Sequence, residues 1–320
     1  MNKALRFLLP DWARPENPIL QYELAHAKQP ASRRRRFVQL LVIALMLGVP
    51  GHLYATHIHD APAGSISDLA WRSLYFPTLL VQVATAAMAL SLGIGSVGQE
   101  RSRQTWDHLR ATAVGASLTL RTRWIAILYR LRAPLLAILL VRLILLIAML
   151  YDLAAFGGLY VEMLSRNATP TLADWRIGWL VIALLMTVSL LLPFTMIAVS
   201  GGIGLLISVA VKDRVYIVMA QVTLVLAQAA LAVGTHLAVS QVLRGSLRLS
   251  DGALFALFLG YSGLGDWGLL FAQLGSLGEI WALVPYGIFI GVGLMGWMLL
   301  QAAAADGILW LAGRLAESRE

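Results

Sequence analysis

The residues able to do chemistry in this chain are few, and most are spaced for packing instead. Gly93-Ile94-Gly95-Ser96-Val97-Gly98 has the GxGxxG spacing with which backbone amides approach a dinucleotide pyrophosphate. Such a site also needs a strand before the glycines and an acid ~20 residues beyond them. Here a long uncharged run, residues 75–97, leads into the glycines, and residues 118–122 hold no acid. Close helix contact is the better account of these glycines, and of Gly287, Gly291, Gly293 and Gly296. A phosphate loop requires a lysine directly after glycine. The lysines are Lys3, Lys28 and Lys212, and none follows a glycine, so the chain has no Walker A site of its own. His57 and His59, with Asp60, are spaced as neighbouring metal ligands, against the plainer reading of a solvated loop. His236 lies in an apolar run where packing would satisfy it. Asp251, Asp266 and Glu279 would do paired acid–base work only if two of them met in space. With no cysteine, disulfides, thiolate zinc and iron–sulfur clusters are excluded.

The elements that must position these residues follow from composition. The chain has 320 residues, 59% apolar and 13% charged, with a mean hydropathy of +0.74. A soluble domain carries ~25% charged residues. Half that charge cannot cover a water-soluble globule, so an ordinary soluble enzyme, a disordered chain and a nucleic-acid module are excluded. What remains is an all-α polytopic membrane protein. A spanning helix needs ~20 largely apolar residues. Six runs qualify, at residues 37–53, 75–97, 133–151, 177–211, 215–243 and 280–305. The fourth would reach ~52 Å as one helix. It is expected to be a single long helix, bent near Pro193 or Ser200-Gly201-Gly202. Residues 252–265 and 267–278 are apolar but too short to cross, and read as re-entrant or interfacial segments joined by a turn at 263–266. Three parts result: residues 1–36, a six-span domain over 37–305 with the re-entrant region at about 252–278, and a tail at 306–320.

Orientation follows from lysine and arginine in the flanks. With the N-terminus inside, 19 of the 25 basic residues fall on the cytoplasmic side and five outside. Both termini are then expected in the cytoplasm, and the protein in the plasma membrane. Arginines 33–36 would set this topology and attract anionic lipid. The pI near 10.1 comes from these loops and not from one basic face, so no nucleic-acid partner is expected.

Three features carry functional expectations. Asn17-Pro18 reads as an N-cap with proline in the first helical position. Leu20, Leu24 and Ala27 then share a face, and Glu23 points elsewhere. This is a short amphipathic helix, lying on the membrane, against a partner, or merely solvated. Residues 99–112 form a charged, helix-compatible segment in which Trp106, Leu109 and Ala113 make one apolar stripe. Such a helix suits a groove on a protein partner, or rests its tryptophan among lipid headgroups. Arg142 is the only charge within a span. It either contacts an anionic substrate group or a carboxylate across a pore, or is a structural arginine that pairs with a backbone carbonyl or snorkels.

At this point the chain resembles the permease subunits of type-2 ATP-binding-cassette (ABC) exporters. Their coupling helix reads roughly Glu-Arg-x-x-Gly-Thr-(Leu/Trp)-(Asp/Glu)-x-Leu-x-x-(Thr/Leu)-Pro. The chain supplies Glu100, Arg101, Thr105, Trp106, Asp107, Leu109 and Thr112 in register, and departs at Gln104 and Ala113. Asn17, Pro18, Leu20, Glu23 and Leu24 resemble the interface helix of one bacterial branch. The resemblance implies two permeases, either two copies or a copy and a paralogue, above two ATPase subunits that bind ATP and magnesium; the chain itself holds no cofactor. It also implies that Trp106 and Leu109 anchor the ATPase, that Glu100, Arg101, Asp107 and Arg110 lie at the rim, and that residues 252–278 form an outer gate. Two rival readings stand beside it: a membrane subunit that organises a larger complex without transporting, and a membrane-embedded lipid enzyme.

Overall fold

The computed structural model describes residues 10–14, 16–27, 66–102, 115–172, 174–211, 213–264 and 274–318. Among them every regular element is helical, with no strand. In chain order these are α1 (Pro18–Ala27), α2 (Ile66–Ser102), α3 (Gly115–Arg130), α4 (Arg132–Ala154) and α5 (Leu159–Asn167). Then come α6 (Trp175–Ala210), α7 (Arg214–Leu243), α8 (Asp251–Leu264), α9 (Leu274–Leu283) and α10 (Ile290–Ser318). Five stretches are long and apolar enough to cross a membrane: Pro77–Ser96, Arg132–Ala154, Trp175–Ala210, Val215–Val242 and Gly287–Ser318. The expected first span, residues 37–53, lies outside the described residues.

The exposed surface of α4 explains why the bilayer is the right solvent. Leu135, Ile138, Leu145 and Met149 are buried on one side, while Leu136, Leu140, Ile144 and Ile147 are exposed on the other. A helix apolar all round belongs in a core or in lipid. α7 carries this further: its most apolar stretch has no buried residue among those described, and Val239 is its one described residue that is buried.

α6 is the central element and packs along both α2 and α10. Its 36 residues make one continuous helix, as the uncharged run predicts, and reach ~54 Å. Asp174 caps it, Oδ1 accepting from the Arg176 amide at 2.9 Å. Glycine lets its backbone approach its neighbours. A Cβ on Gly93 of α2 would stand 2.7 Å from the Gly201 carbonyl oxygen, and one on Gly291 of α10 would stand 2.9 Å from the Leu185 amide. Gly95 and Gly296 face open space, so only part of each glycine pattern makes the contact.

Two apolar cores result. One gathers Leu145, Met149, Val161, Ile182, Leu185, Trp281, Ile288 and Leu294. The other gathers Ala89, Leu120, Ile127, Ile138, Ile197, Leu205, Leu309 and Ala312. Among the buried polar residues of α2, α4 and α6 are Gln82, Arg142 and Ser189.

Several boundaries differ from expectation. The last helix begins at Ile290 and not at residue 280, because Tyr286 takes a left-handed conformation (φ 62°) that ends the run from α9. It continues to Ser318, so most of the expected tail is helix, with Leu309, Ala312 and Ala316 buried. Residues 115–130, which the sequence places between two apolar runs with no element of their own, form α3. The first short apolar segment is α8, of 14 residues; α9, of 10 residues, covers only 274–278 of the second and runs on to Leu283, and residues 265–273, with Asp266, lie outside the described set.

Candidate functional site

Two polar constellations stand out. The first joins α1 to α3. Asn17 caps α1 as its sequence suggests, Oδ1 accepting from the Ile19 amide at 2.9 Å, and Pro18 occupies the first turn. Leu20 is fully buried and Leu24 partly so. Glu23 is the acid of α1, and it is not solvated. Its Oε1 lies 3.0 Å from Arg123 Nε, and its Oε2 lies 3.2 Å from Arg130 Nη2. Arg130 also donates to the Glu23 backbone carbonyl at 2.6 Å. Arg123 and Arg130 are seven residues apart, hence two helical turns apart on one face. Arg123 reaches on to α2, donating from Nη1 to the Ser96 carbonyl at 3.1 Å.

α3 is thus a hub. Trp124 Nε1 donates to the Ala198 carbonyl of α6 at 2.8 Å, and Arg121 pairs with Asp306 of α10 at 3.0 Å. Ser117 packs where a Cβ on Gly313 would stand 3.0 Å away. The arginines read from sequence as loop charges are side chains that hold helices together.

The second constellation lies between the two apolar cores. Arg142 is 1% exposed. Its Nη1 donates to the Ser189 carbonyl of α6, and its Nη2 to Gln82 Oε1 of α2. Gln82 Nε2 lies 3.6 Å from Met196 Sδ. The expected structural alternative, a mid-span arginine on a backbone carbonyl, is the geometry present.

Other expected positions fall as follows. Glu100 and Arg101 are in the last turn of α2, with side chains outside the described set. Thr105, Trp106, Asp107, Leu109 and Arg110 lie outside the described residues, as do His57, His59 and Asp60. His236 is exposed, so packing does not satisfy it; its Nδ1 stands 3.2 Å from the Tyr261 hydroxyl. Among the described residues no three His, Asp or Glu side chains come together to hold a metal. Sequence reading missed Arg123, Arg130 and Gln82. The seven-residue spacing of the two arginines was the available sign for the first pair. A glutamine midway in an uncharged run was the sign for the last.

The fold and these constellations define a class: an all-helical protein with several helices apolar enough to cross a membrane, clamped by buried arginines. The comparisons with known proteins add no family to it, since no family model, no curated protein and no solved structure matches the chain.

Proposed function

We propose that the chain is the membrane-spanning permease subunit of an ATP-driven exporter of the type-2 ABC class, with six spans and both termini in the cytoplasm. The coupling segment at 99–112 would dock on a separate ATPase through Trp106 and Leu109. The observation that carries the reading is the grip of Glu23 on Arg123 and Arg130. The resemblance assigns the coupling segment at 99–112 to the ATPase, and α1 is the element that it likens to an interface helix. Arg123 ties α1, α2 and α3 into one unit around the ends of that segment. A push on the segment would therefore pass to α3, and through Trp124 and Arg121 to α6 and α10. A loose loop would dissipate it.

Purification of the protein from its native host in mild detergent tests this. A nucleotide-binding subunit should come with it, and its absence would overturn the reading. With the complex in hand, Trp106→Glu is expected to weaken ATPase binding by roughly 10-fold or more, since a buried aromatic anchor commonly dominates an interface. ATP hydrolysis that stays coupled in this variant would remove the docking role.

A further inference from the structure

The carbonyl that Arg142 holds is not an arbitrary one. In an α-helix the N–H of each residue bonds the carbonyl four residues before it. Pro193 has no N–H, so the carbonyl left without its intrahelical donor is that of Ser189. Arg142 Nη1 donates to this same oxygen from α4. In hydrocarbon no water can take the place of the missing donor, and a proline in a spanning helix is tolerated when a neighbour does. The contact chain then crosses the break. Arg142 Nη2 donates to Gln82, and Gln82 Nε2 approaches Met196, which lies beyond Pro193 on α6. Two residues past the proline, Thr195 Oγ1 stands 2.7 Å from Gln301 Oε1 of α10. The break is therefore braced from α4 and α2 on one side and from α10 on the other.

We infer that Arg142 is the positioning residue of α6. It replaces the hydrogen bond that Pro193 deletes and, through Gln82, splints the two halves of the helix. While the arginine is engaged, α6 acts as one rod; when it disengages, α6 becomes two segments hinged at residues 189–193. This role asks nothing of a substrate and stands apart from the transport reading. It accounts together for a charge and a proline in apolar runs, each of which is costly alone.

The test is a cycle of four full-length proteins in detergent: wild type, Arg142→Met, Pro193→Ala and the double variant. An alanine at 193 restores an N–H to the Ser189 carbonyl. Arg142→Met is expected to lower the unfolding midpoint by roughly 5–10 °C in the wild-type background. In the Pro193→Ala background the same substitution should lower it by less than half as much. Equal drops in the two backgrounds would overturn the inference. If Arg142→Met cannot be recovered folded, recovery becomes the measurement: a monodisperse double variant supports the splint, and loss of both overturns it. Hydrogen exchange across residues 189–196 gives a second reading. Exchange should quicken by roughly 10-fold or more in Arg142→Met, as expected when a local opening loses over ~1.4 kcal/mol of protection. It should return towards wild type in the double variant. Equal exchange in the two would argue for a merely structural arginine.

Discussion

The two arginine constellations solve different problems with the same side chain. Between the apolar cores, Arg142 is 1% exposed and grips two neutral oxygens, a main-chain carbonyl and an amide. At the α1 end of the bundle, Arg123 and Arg130 share one carboxylate, with side chains 4% and 26% exposed against 17% for Glu23. The first joins three helices that are already packed along their lengths. The second fastens a ten-residue helix in which Leu20 is the one fully buried side chain among the described residues. A short amphipathic helix has marginal stability of its own, so tertiary contacts decide whether it stays docked. Burial thus sets what each cluster is worth, and the number of helices it joins sets what its loss does.

The comparison breaks most easily at the Arg142 cluster. Gln82→Leu keeps the volume but removes the acceptor of Arg142 Nη2 and the approach to Met196. Loss of a buried hydrogen bond to a charged group costs about 2–3 kcal/mol. Reversible unfolding in mixed micelles should therefore show a drop of that size, with α2, α4 and α6 destabilised together. A cost under ~0.5 kcal/mol would mean that the Arg142 cluster is decorative and the ranking by burial is wrong.

The α1 clamp should fail differently. Arg123→Met removes the ion pair to Glu23 and the bond to the Ser96 carbonyl while keeping an apolar stem among buried neighbours. An expected cost of about 1–3 kcal/mol should fall on α1 docking more than on the global unfolding midpoint. Limited trypsin digestion measures this directly, since Arg6 and Lys28 lie on either side of α1, the Arg14–Pro15 bond being resistant to trypsin. Cleavage there should accelerate in Arg123→Met while the span fragments persist. Unchanged cleavage with a lowered midpoint would show that the clamp serves the whole bundle and not α1.

The parts legible in the sequence were those whose physics is one-dimensional. Apolar runs found the spans at 75–97, 133–151, 177–211 and 215–243, because hydrocarbon tolerates little else over that length. Asn17-Pro18 marked the start of α1, because capping is local. α3 was hidden because its charges interrupt its apolar face. Arg121, Arg123 and Arg130 count towards a solvated loop unless their partners are known, and those partners are Asp306 and Glu23, 185 and 107 residues away for the bonds to Arg121 and Arg130. The end of the last helix was hidden for a related reason. Asp306 is the first charge after a long apolar run, yet the helix continues as an amphipathic one, with Arg314 lying 4.8 Å over the Trp310 ring. Its start was misplaced although Pro285 and Gly287 flank the turn at Tyr286, because both residue types are also tolerated within spanning helices. Of the candidate site, Arg142 was found as a residue but not by its partners, since only packing decides which carbonyl an arginine meets.

The smallest effect calibrates the others. Arg121 and Asp306 make an ion pair of the same length, 3.0 Å, as that between Arg123 and Glu23, but with side chains 35% and 72% exposed. Exposed pairs contribute about 0.2–1 kcal/mol, because water screens them and each long side chain gives up rotamers to hold the geometry. Arg121→Gln is therefore expected to cost under ~0.5 kcal/mol and to lose even that at 0.5 M or higher salt, where screening acts within ~5 Å. Measured beside Arg123→Met in the same micelles, the two substitutions remove ion pairs of equal length from the same helix, and differ in burial and in the Ser96 carbonyl bond that Arg123 also makes. If both cost the same, distance alone governs the arginines of α3. If Arg123→Met costs several-fold more and keeps its cost in salt, the desolvated clamp on α1 is what distinguishes this helix from a basic loop.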